Sequence, residues 1–293
     1  MVTNLKGVER RQAILAHIAR YTFSLRVVIE RLYFEGKSCD TVLRAMAEDG
    51  LVVAQPNTPA REVDTAPDTI VRVPASGSVR EDTRPTIIPG GYKYYQLTLK
   101  AVKSSGLPSS RTKPPGPGAF DRHLAVLWFC CMGKQRLNLL NARNVAKLFG
   151  EEAADSSPIP EGPYCVELEG KHRIFRVFTP GATAKDLYHI ENFQSHLEEA
   201  MSHPVLHSWL QTRRLAYAFL VPHDDRRKKL KEQIKATGVH DTIWVDVVTV
   251  PTHQTLDVWL RTKPQPKQPQ LEPKAQEKCS TKTKRSLKSK GPR

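Results

Sequence analysis

The stretch "SSGLPSSRTKPPGPG", residues 104–118, sets four prolines and three glycines in a row of fifteen positions. No regular element can run through it, because proline lacks an amide donor and glycine loses the most backbone freedom on ordering. The chain must therefore assemble from the segments on either side of this stretch. A typical domain takes about 100 to 200 residues, so both parts of a 293-residue chain are long enough to bury a core of their own. The composition predicts a hinge or linker at 104–118 between a domain over 1–103 and another over 119–260, with 261–293 left as a tail.

In the first part, apolar residues recur at helical spacing in three short segments. "VERRQAILAHIARY" places Ile14, Leu15 and Ile18 on one face; "SLRVVIERLYF" aligns Leu25, Val28, Ile29 and Leu32; "SCDTVLRAMAEDG" aligns Val42, Leu43 and Met46. Ser24 and Ser38 stand where N-caps belong and Gly50 where a helix should stop. "LVV" then opens a strand. Residues 54–91, rich in Pro, Asp, Thr and Gly around a "TIVRV" island, read as a long excursion before the alternating aromatic strand of "YKYYQLTLKAVKSSG". That strand runs into a short helix around Leu99 to Val102. Three helices followed by a two-stranded hairpin is the plan of a winged helix, a variant of the helix-turn-helix.

The net charge of +15 points to a polyanionic partner, nucleic acid before an anionic membrane. Residues 261–293 hold 11 Lys or Arg against 2 Glu, which accounts for nine of those charges. This tail is nearly devoid of apolar residues and is expected to be disordered, adding salt-sensitive, sequence-blind affinity for phosphates. No run of 18 apolar residues and no secretory pattern is present, so the expected location is the cytoplasm, without a membrane partner. Five cysteines without regular spacing suggest neither a disulfide framework nor a zinc site, and they read as reduced and mostly buried.

In a helix-turn-helix the second helix of the motif enters the major groove. With Val42, Leu43 and Met46 inward, the outward side chains are Ser38, Thr41 and Arg44, with Lys37 just ahead of the helix. Arg44 can fork onto a guanine edge, while Lys37, Ser38 and the helix start suit phosphate. The hairpin adds Lys93, and Arg72 if the island belongs to it. Asp40 and Glu48 on the same helix work against DNA. A protein-binding module, acting as a transcriptional or assembly adaptor, is the bland alternative. "FEGKS" has Arg31 where a phosphate-binding loop needs its first glycine, so that motif is dismissed.

The second part opens with two helix-like segments, "FDRHLAVLWFCCM" and "LLNARNVAKLFG". It continues as strand 164–169, strand 172–178, helix 183–201, strand 215–221, helix 224–237 and strand 242–250. Strands alternating with helices predict an α/β layer on a mixed sheet. His189, His196, His203 and His207 could share a helix side, but Pro204 interrupts them and a solvated face explains them better than zinc. "HDDRRKKLKEQIK" sets two acids at a helix start and then a basic run from Arg226 to Lys229 plus Lys231, a solvated face that could touch a DNA backbone. Neither Cys39 nor Ser38 has a histidine tied to it, so no nucleophile is assigned.

The "YxLT" step at Tyr95, Leu97 and Thr98, the "HLAV" segment, and the turn Pro160-Glu161-Gly162 before a hairpin together resemble the bacterial replication-relaxation family over about residues 8 to 250. The resemblance implies an N-terminal winged helix joined to a mixed-sheet, restriction-endonuclease-like α/β domain of the PD-(D/E)XK type. It also implies a role in plasmid or mobile-element replication or mobilisation, with double-stranded DNA and other replication or mobilisation proteins as partners. Nucleases of that fold hold divalent ions on carboxylates from adjacent strands. Here the second strand offers Val177 with Thr179 or Arg176 with Phe178, none of them acidic. The expectation is a catalytically silent domain that needs no cofactor. The enzyme alternative is a Mg-dependent endonuclease using Glu161, Glu167, Glu169 and Lys171. However, Lys171 falls at a hairpin turn, and Glu167 and Glu169 read as the exposed side of an edge strand.

Overall fold

The computed structural model describes residues 6–56, 92–133, 135–150, 159, 161–168, 173–179, 186–239 and 243–262. It is a mixed α+β protein with two sheets. The first part runs α1 (Gly7–Tyr21), β1 (Ser24–Leu25), α2 (Arg26–Tyr33), α3 (Asp40–Glu48), β2 (Val52–Pro56), β3 (Lys93–Leu97) and α4 (Leu99–Ser104). The apolar stripes pack as their spacing predicts: Ile14 and Ile18 of α1, Ile29 of α2, and Leu43 and Met46 of α3 close on Val52, Leu97 and Val102. Thr98 caps α4, its hydroxyl oxygen accepting the Ala101 amide.

Both predicted serine caps are corrected. Ser24 lies in β1, opposite Tyr95 of β3, and is fully buried with its hydroxyl 2.9 Å from His17 Nε2. The strand pairing, between distant parts of the sequence, claims the backbone that a cap would need. A three-stranded antiparallel sheet results, in the order β1-β3-β2. The N-cap of α3 is Cys39, and Ser38 precedes it, its oxygen accepting the Asp40 amide at 3.3 Å.

The second part runs α5 (Pro117–Met132), β4 (Leu137–Leu140), α6 (Ala142–Gly150), β5 (Tyr164–Glu167), β6 (Ile174–Phe178), α7 (Asp186–Ser202), α8 (Pro204–Gln211), β7 (Leu215–Val221), α9 (Asp224–Ala236), β8 (Val245–Thr249) and α10 (Leu256–Thr262). Its sheet has the order β4-β5-β6-β7-β8, antiparallel from β4 to β6 and parallel from β6 to β8. All seven residues of β7 are buried, as a strand covered on both faces requires. Cys165, Phe175, Val177, Ala216, Ala218 and Leu220 point toward α5 and α10. Tyr164, Ile174, Tyr217, Phe219 and Val221 point toward α6, α7, α8 and α9.

Several expectations change here. Leu139 and Leu140, expected to start a helix, belong to β4, and the helix begins at Ala142. Because β4 pairs outside β5, β5 is not an edge strand. Pro204 does mark an interruption, with α7 ending at Ser202, and it also starts α8, since proline's fixed φ and missing donor suit the first helical position. Arg261 and Thr262, assigned to the tail, end α10. The rest of the tail, the "TIVRV" island with Arg72, and Glu169 and Lys171 lie outside the described residues.

The two parts do not hang on a tether. Tyr21, Phe23, Leu25, Val28 and Tyr94 of the first part share one apolar core with Phe120, Leu124, Leu127 and Trp128 of α5 and with β5, β6 and β7. Polar contacts frame this seam: Arg20 donates to Asn138 Oδ1 at 2.7 Å, Arg31 to the carbonyls of Met132 and Gly133 at 3.1 and 3.0 Å, and the Leu139 amide to the Tyr21 hydroxyl at 3.3 Å. The proline-rich stretch itself is tacked down. It forms a 3-10 turn at Ser109–Thr112, Arg111 donates to Thr22, and Gln96 donates to the Lys113 carbonyl. Among the described residues no helix is long and apolar enough to cross a membrane.

Candidate nucleic-acid interface

Helix α3 buries Leu43 and Met46 and leaves Thr41 and Arg44 exposed, with Lys37 and Ser38 exposed at its approach. Burying one stripe of the helix turns the opposite stripe outward, and the second half of the molecule packs against α1, α2 and β3 rather than over this surface. The four predicted side chains therefore share one open surface. Lys93 is also exposed, opposite Pro56 at the end of the β2–β3 ladder where the chain leaves for residues 57–91.

Asp40 and Asp49, at the two ends of α3, are each matched by a cation, while Glu48 is exposed. Arg26 Nη1 lies 3.0 Å from Asp40, and Arg26 Nε donates to Glu30 at 2.7 Å. The Glu30 hydrogen bond raises the Arg26 pKa above its ordinary value, with Asp40 adding to the effect, so the guanidinium is a fixed cation. Asp49 is matched by Arg11 at 2.8 Å. Asp40, which in sequence argues against a polyanionic partner, thus does not face that partner as an isolated charge. Sequence reasoning misses Arg26 because it lies on α2, and only its spacing of four from Glu30 is visible there.

Cys39 offers no nucleophile. It is 1% exposed, and burial, with the Glu30 carboxylate nearby, pushes its thiol up to about 12.

Of the carboxylates of the endonuclease alternative, Glu161 and Glu167 fall within the described residues. Glu161 is exposed three residues ahead of β5, and Glu167 ends that strand. Glu161 precedes a bend at Gly162, outside the strand that Glu167 ends, and among the described residues neither belongs to a group of three or more His, Cys, Asp or Glu side chains that could hold an ion. Glu167 is 4% exposed and faces Arg173 at 3.6 Å, so the reading of an exposed edge-strand carboxylate is corrected. Arg173 in turn lies over the Trp244 ring at 4.1 Å.

On β6 the position considered for an acid is Arg176, buried between Tyr164 at 4.9 Å and Phe178 at 5.9 Å and donating to the Glu161 carbonyl. Gly162 makes room for it: a Cβ there, at a φ of +145°, would overlap the guanidinium. The strip facing α7 therefore carries a fixed cation where metal chemistry wants a carboxylate.

The histidines separate. His203 is buried and caps α8, its Nδ1 accepting the Leu206 amide, which corrects its reading as part of a wet face. His196 sits 3.3 Å from Glu199 and His207 3.1 Å from Gln211, while the side chain of His189 lies outside the described residues. Among the described residues no three His, Cys, Asp or Glu side chains gather as a metal site would need. An Asp121–His253 pair, 132 residues apart in sequence, has no local pattern by which sequence reasoning could find it. No family model, curated protein or solved structure matches the chain.

Proposed function

We propose that the protein binds double-stranded DNA, with α3 as the groove-reading helix and the β2–β3 hairpin as a wing. The single observation that carries this reading is the open surface of Lys37, Ser38, Thr41 and Arg44, whose neighbouring acid, Asp40, is held by Arg26. The order of three helices, with a short strand after the first and a hairpin after the third, supports a winged helix. In this reading Arg44 contacts a base edge, and Lys37, Ser38 and Lys93 contact phosphates.

The sheet of the second part, with three antiparallel strands leading into parallel ones, supports the reading of a PD-(D/E)XK-like body. Arg176, standing where an acid would be needed, supports the view that this body lacks a complete catalytic set. Membership in the replication-relaxation family, and work in plasmid or mobile-element replication or mobilisation, belongs to the same proposal and rests on the motif resemblance. The shared apolar core gives the body a role: it holds the reading helix at a fixed orientation to whatever else the second part contacts.

Fluorescence anisotropy of the full chain with labelled duplex DNA tests the reading. Arg44→Ala is expected to cost about 1 to 3 kcal/mol on a preferred site and to relax preference at one base position. Binding untouched by Arg44→Ala and Lys37→Ala together would remove α3 from the interface.

A further inference from the structure

Strands β6, β7 and β8 run parallel, and β4 runs the same way because two antiparallel steps separate it from β6. Their first ends and the last end of β5 therefore line one rim of the sheet, opposite the ends that lead to α7, α9 and α10. Backbone hydrogen bonds tie this rim together: the Leu168 amide donates to the Arg136 carbonyl at 3.2 Å, Ile174 to Arg214 at 2.7 Å and Tyr217 to Trp244 at 2.9 Å. Arg136, Arg173, Arg214 and Trp244 each stand one residue ahead of a strand, with Arg213 just before Arg214. At the usual strand spacing the five-stranded sheet makes this rim about 19 Å long. The DNA-binding reading of α3 uses none of these residues.

The rim is cationic, and its side chains are held in place. Arg173 lies between Glu167 at 3.6 Å and the Trp244 ring at 4.1 Å. Arg214 lies over the buried Trp209 ring at 3.9 Å and is itself exposed, as is Arg213. Arg136 is half-buried at the other end of the row. Among the described residues only Arg173 of these four arginines has a carboxylate partner. Trp244 is the aromatic member: of the four tryptophans it alone is exposed, at 45%, with one face under Arg173. A ring already fixed in this way offers its open side to a ligand at little further ordering cost.

We propose that this rim binds single-stranded DNA, with Trp244 stacking on a base, Arg213 and Arg214 meeting phosphates, and Arg136 extending the cationic track. Arg173, engaged by Glu167, positions the ring and is not counted as a phosphate ligand. Sequence-tolerant single-strand sites combine a cationic track with an aromatic platform, because every base has a flat face and every nucleotide a charge. A duplex does not use the platform, since its bases are held inside the stack. An acidic protein segment would use the cations and leave the ring idle. The choice of DNA over RNA rests on the proposed function; the ring and the cations are independent of it.

Anisotropy of the full chain with a labelled oligothymidine of about 12 residues, read together with tryptophan emission, tests the site. Binding is expected, with the emission quenched. Trp244→Ala should weaken binding about tenfold, within the range for one stacked base. Trp244→Phe should recover most of the affinity without the quenching. Arg213→Gln, at an exposed position, should make the log–log salt slope shallower by about 0.7, the share of one phosphate on a single strand. Arg214→Gln should do the same in a chain that keeps its wild-type melting temperature.

Duplex binding should be unchanged in Trp244→Ala. If the wild type fails to bind duplex while oligothymidine still binds through Trp244, the α3 reading falls and this one stands. Absence of oligothymidine binding, binding without quenching, indifference to Trp244→Ala, or failure of Trp244→Phe to rescue would each overturn the proposal. So would displacement of the oligomer by polyglutamate at equal charge, which assigns the rim to an acidic protein segment, or a preference for oligouridine, which assigns it to RNA.

Discussion

Phe23 and Phe120 stack with ring centroids 4.6 Å apart and planes 6° from parallel, one ring from each side of the proline-rich stretch. Tyr94 meets the same Phe120 edge-on at 5.2 Å. Rings from the helical part and from α5 thus build one interior, and the position of α3 relative to the larger sheet is set by packing rather than by the connecting chain. A reading helix on such a base meets DNA with its orientation already set, without the loss of freedom that a tethered module would suffer on binding.

The stacked pair makes stability a shared property of both parts. Phe120→Ala is expected to cost about 3 to 5 kcal/mol, the usual range for a buried phenylalanine truncated to alanine. Urea unfolding of Phe23→Ala, Phe120→Ala and the double variant should show a double loss smaller than the sum of the singles, because the rings touch. Simple additivity would mean that the two parts fold on separate cores.

Arg26 shields a polyanion from Asp40, so its removal should weaken DNA binding although it lies on the neighbouring helix. An exposed pair of this kind contributes little to folding, about 0 to 1 kcal/mol, so the fold should survive Arg26→Ala. The double variant Arg26→Ala with Asp40→Asn should recover most of the affinity lost by Arg26→Ala alone, read by anisotropy at fixed salt. Failure to recover would place Arg26 itself on the DNA.

Salt dependence separates positioning from reading. Each phosphate contact contributes a slope of about −0.9 to the log–log plot of affinity against salt. Lys37→Ala should make the slope shallower by about one unit on every sequence, whereas Arg44→Ala should change the ranking of sequences more than the slope. Deleting residues 263–293 should lower affinity evenly and flatten the slope further. The cut falls after α10, so the helix stays intact.

The parts of this molecule that are legible in sequence are those whose signal is local. A helical stripe can be read from Ile14, Ile18, Leu43 and Met46, and burying them turns Thr41 and Arg44 outward. Ser24 misleads because its partner, Tyr95, lies far along the chain and a two-residue strand has no periodicity to show. β4, four residues long, merges in sequence with the helix after it, and the break at Pro204 is legible while the second helix that it opens is not. Glu167 keeps the alternation of a half-exposed strand, yet β4 pairs beside it and Arg173 reaches it from just ahead of β6. The Asp121–His253 contact and the seam around Phe120 are long-range, and nothing short of the fold brings their members together.

Gly162 tests whether Arg176 is held by its surroundings. Gly162→Ala places a methyl group against the guanidinium and keeps a φ of +145°, which side chains rarely adopt. The substitution is expected to destabilise by about 1 to 3 kcal/mol, read as a lowered denaturation midpoint. Arg176→Met should relieve the clash but not the backbone, so the double variant should recover part of the loss and not all of it.

His17 should make the fold acid-sensitive. It is buried between Tyr21 and Tyr33, with Nε2 2.9 Å from the Ser24 hydroxyl. Burial, helped by the charges of Arg20 and Arg136, lowers its pKa from 6.5 to about 3. Between those values the unfolded chain takes up a proton at this residue and the folded chain does not, so stability is fully present above about pH 6.5 and falls as the pH drops toward 3, by up to about 1.4 kcal/mol per pH unit. His17→Gln keeps a hydrogen-bonding side chain without the titration. Its unfolding free energy should start lower at pH 7, then fall less steeply than wild type between pH 6.5 and 4.5. Parallel curves would show that His17 protonates in the folded chain, and would undo the placement of β1 against α1 on which its burial depends.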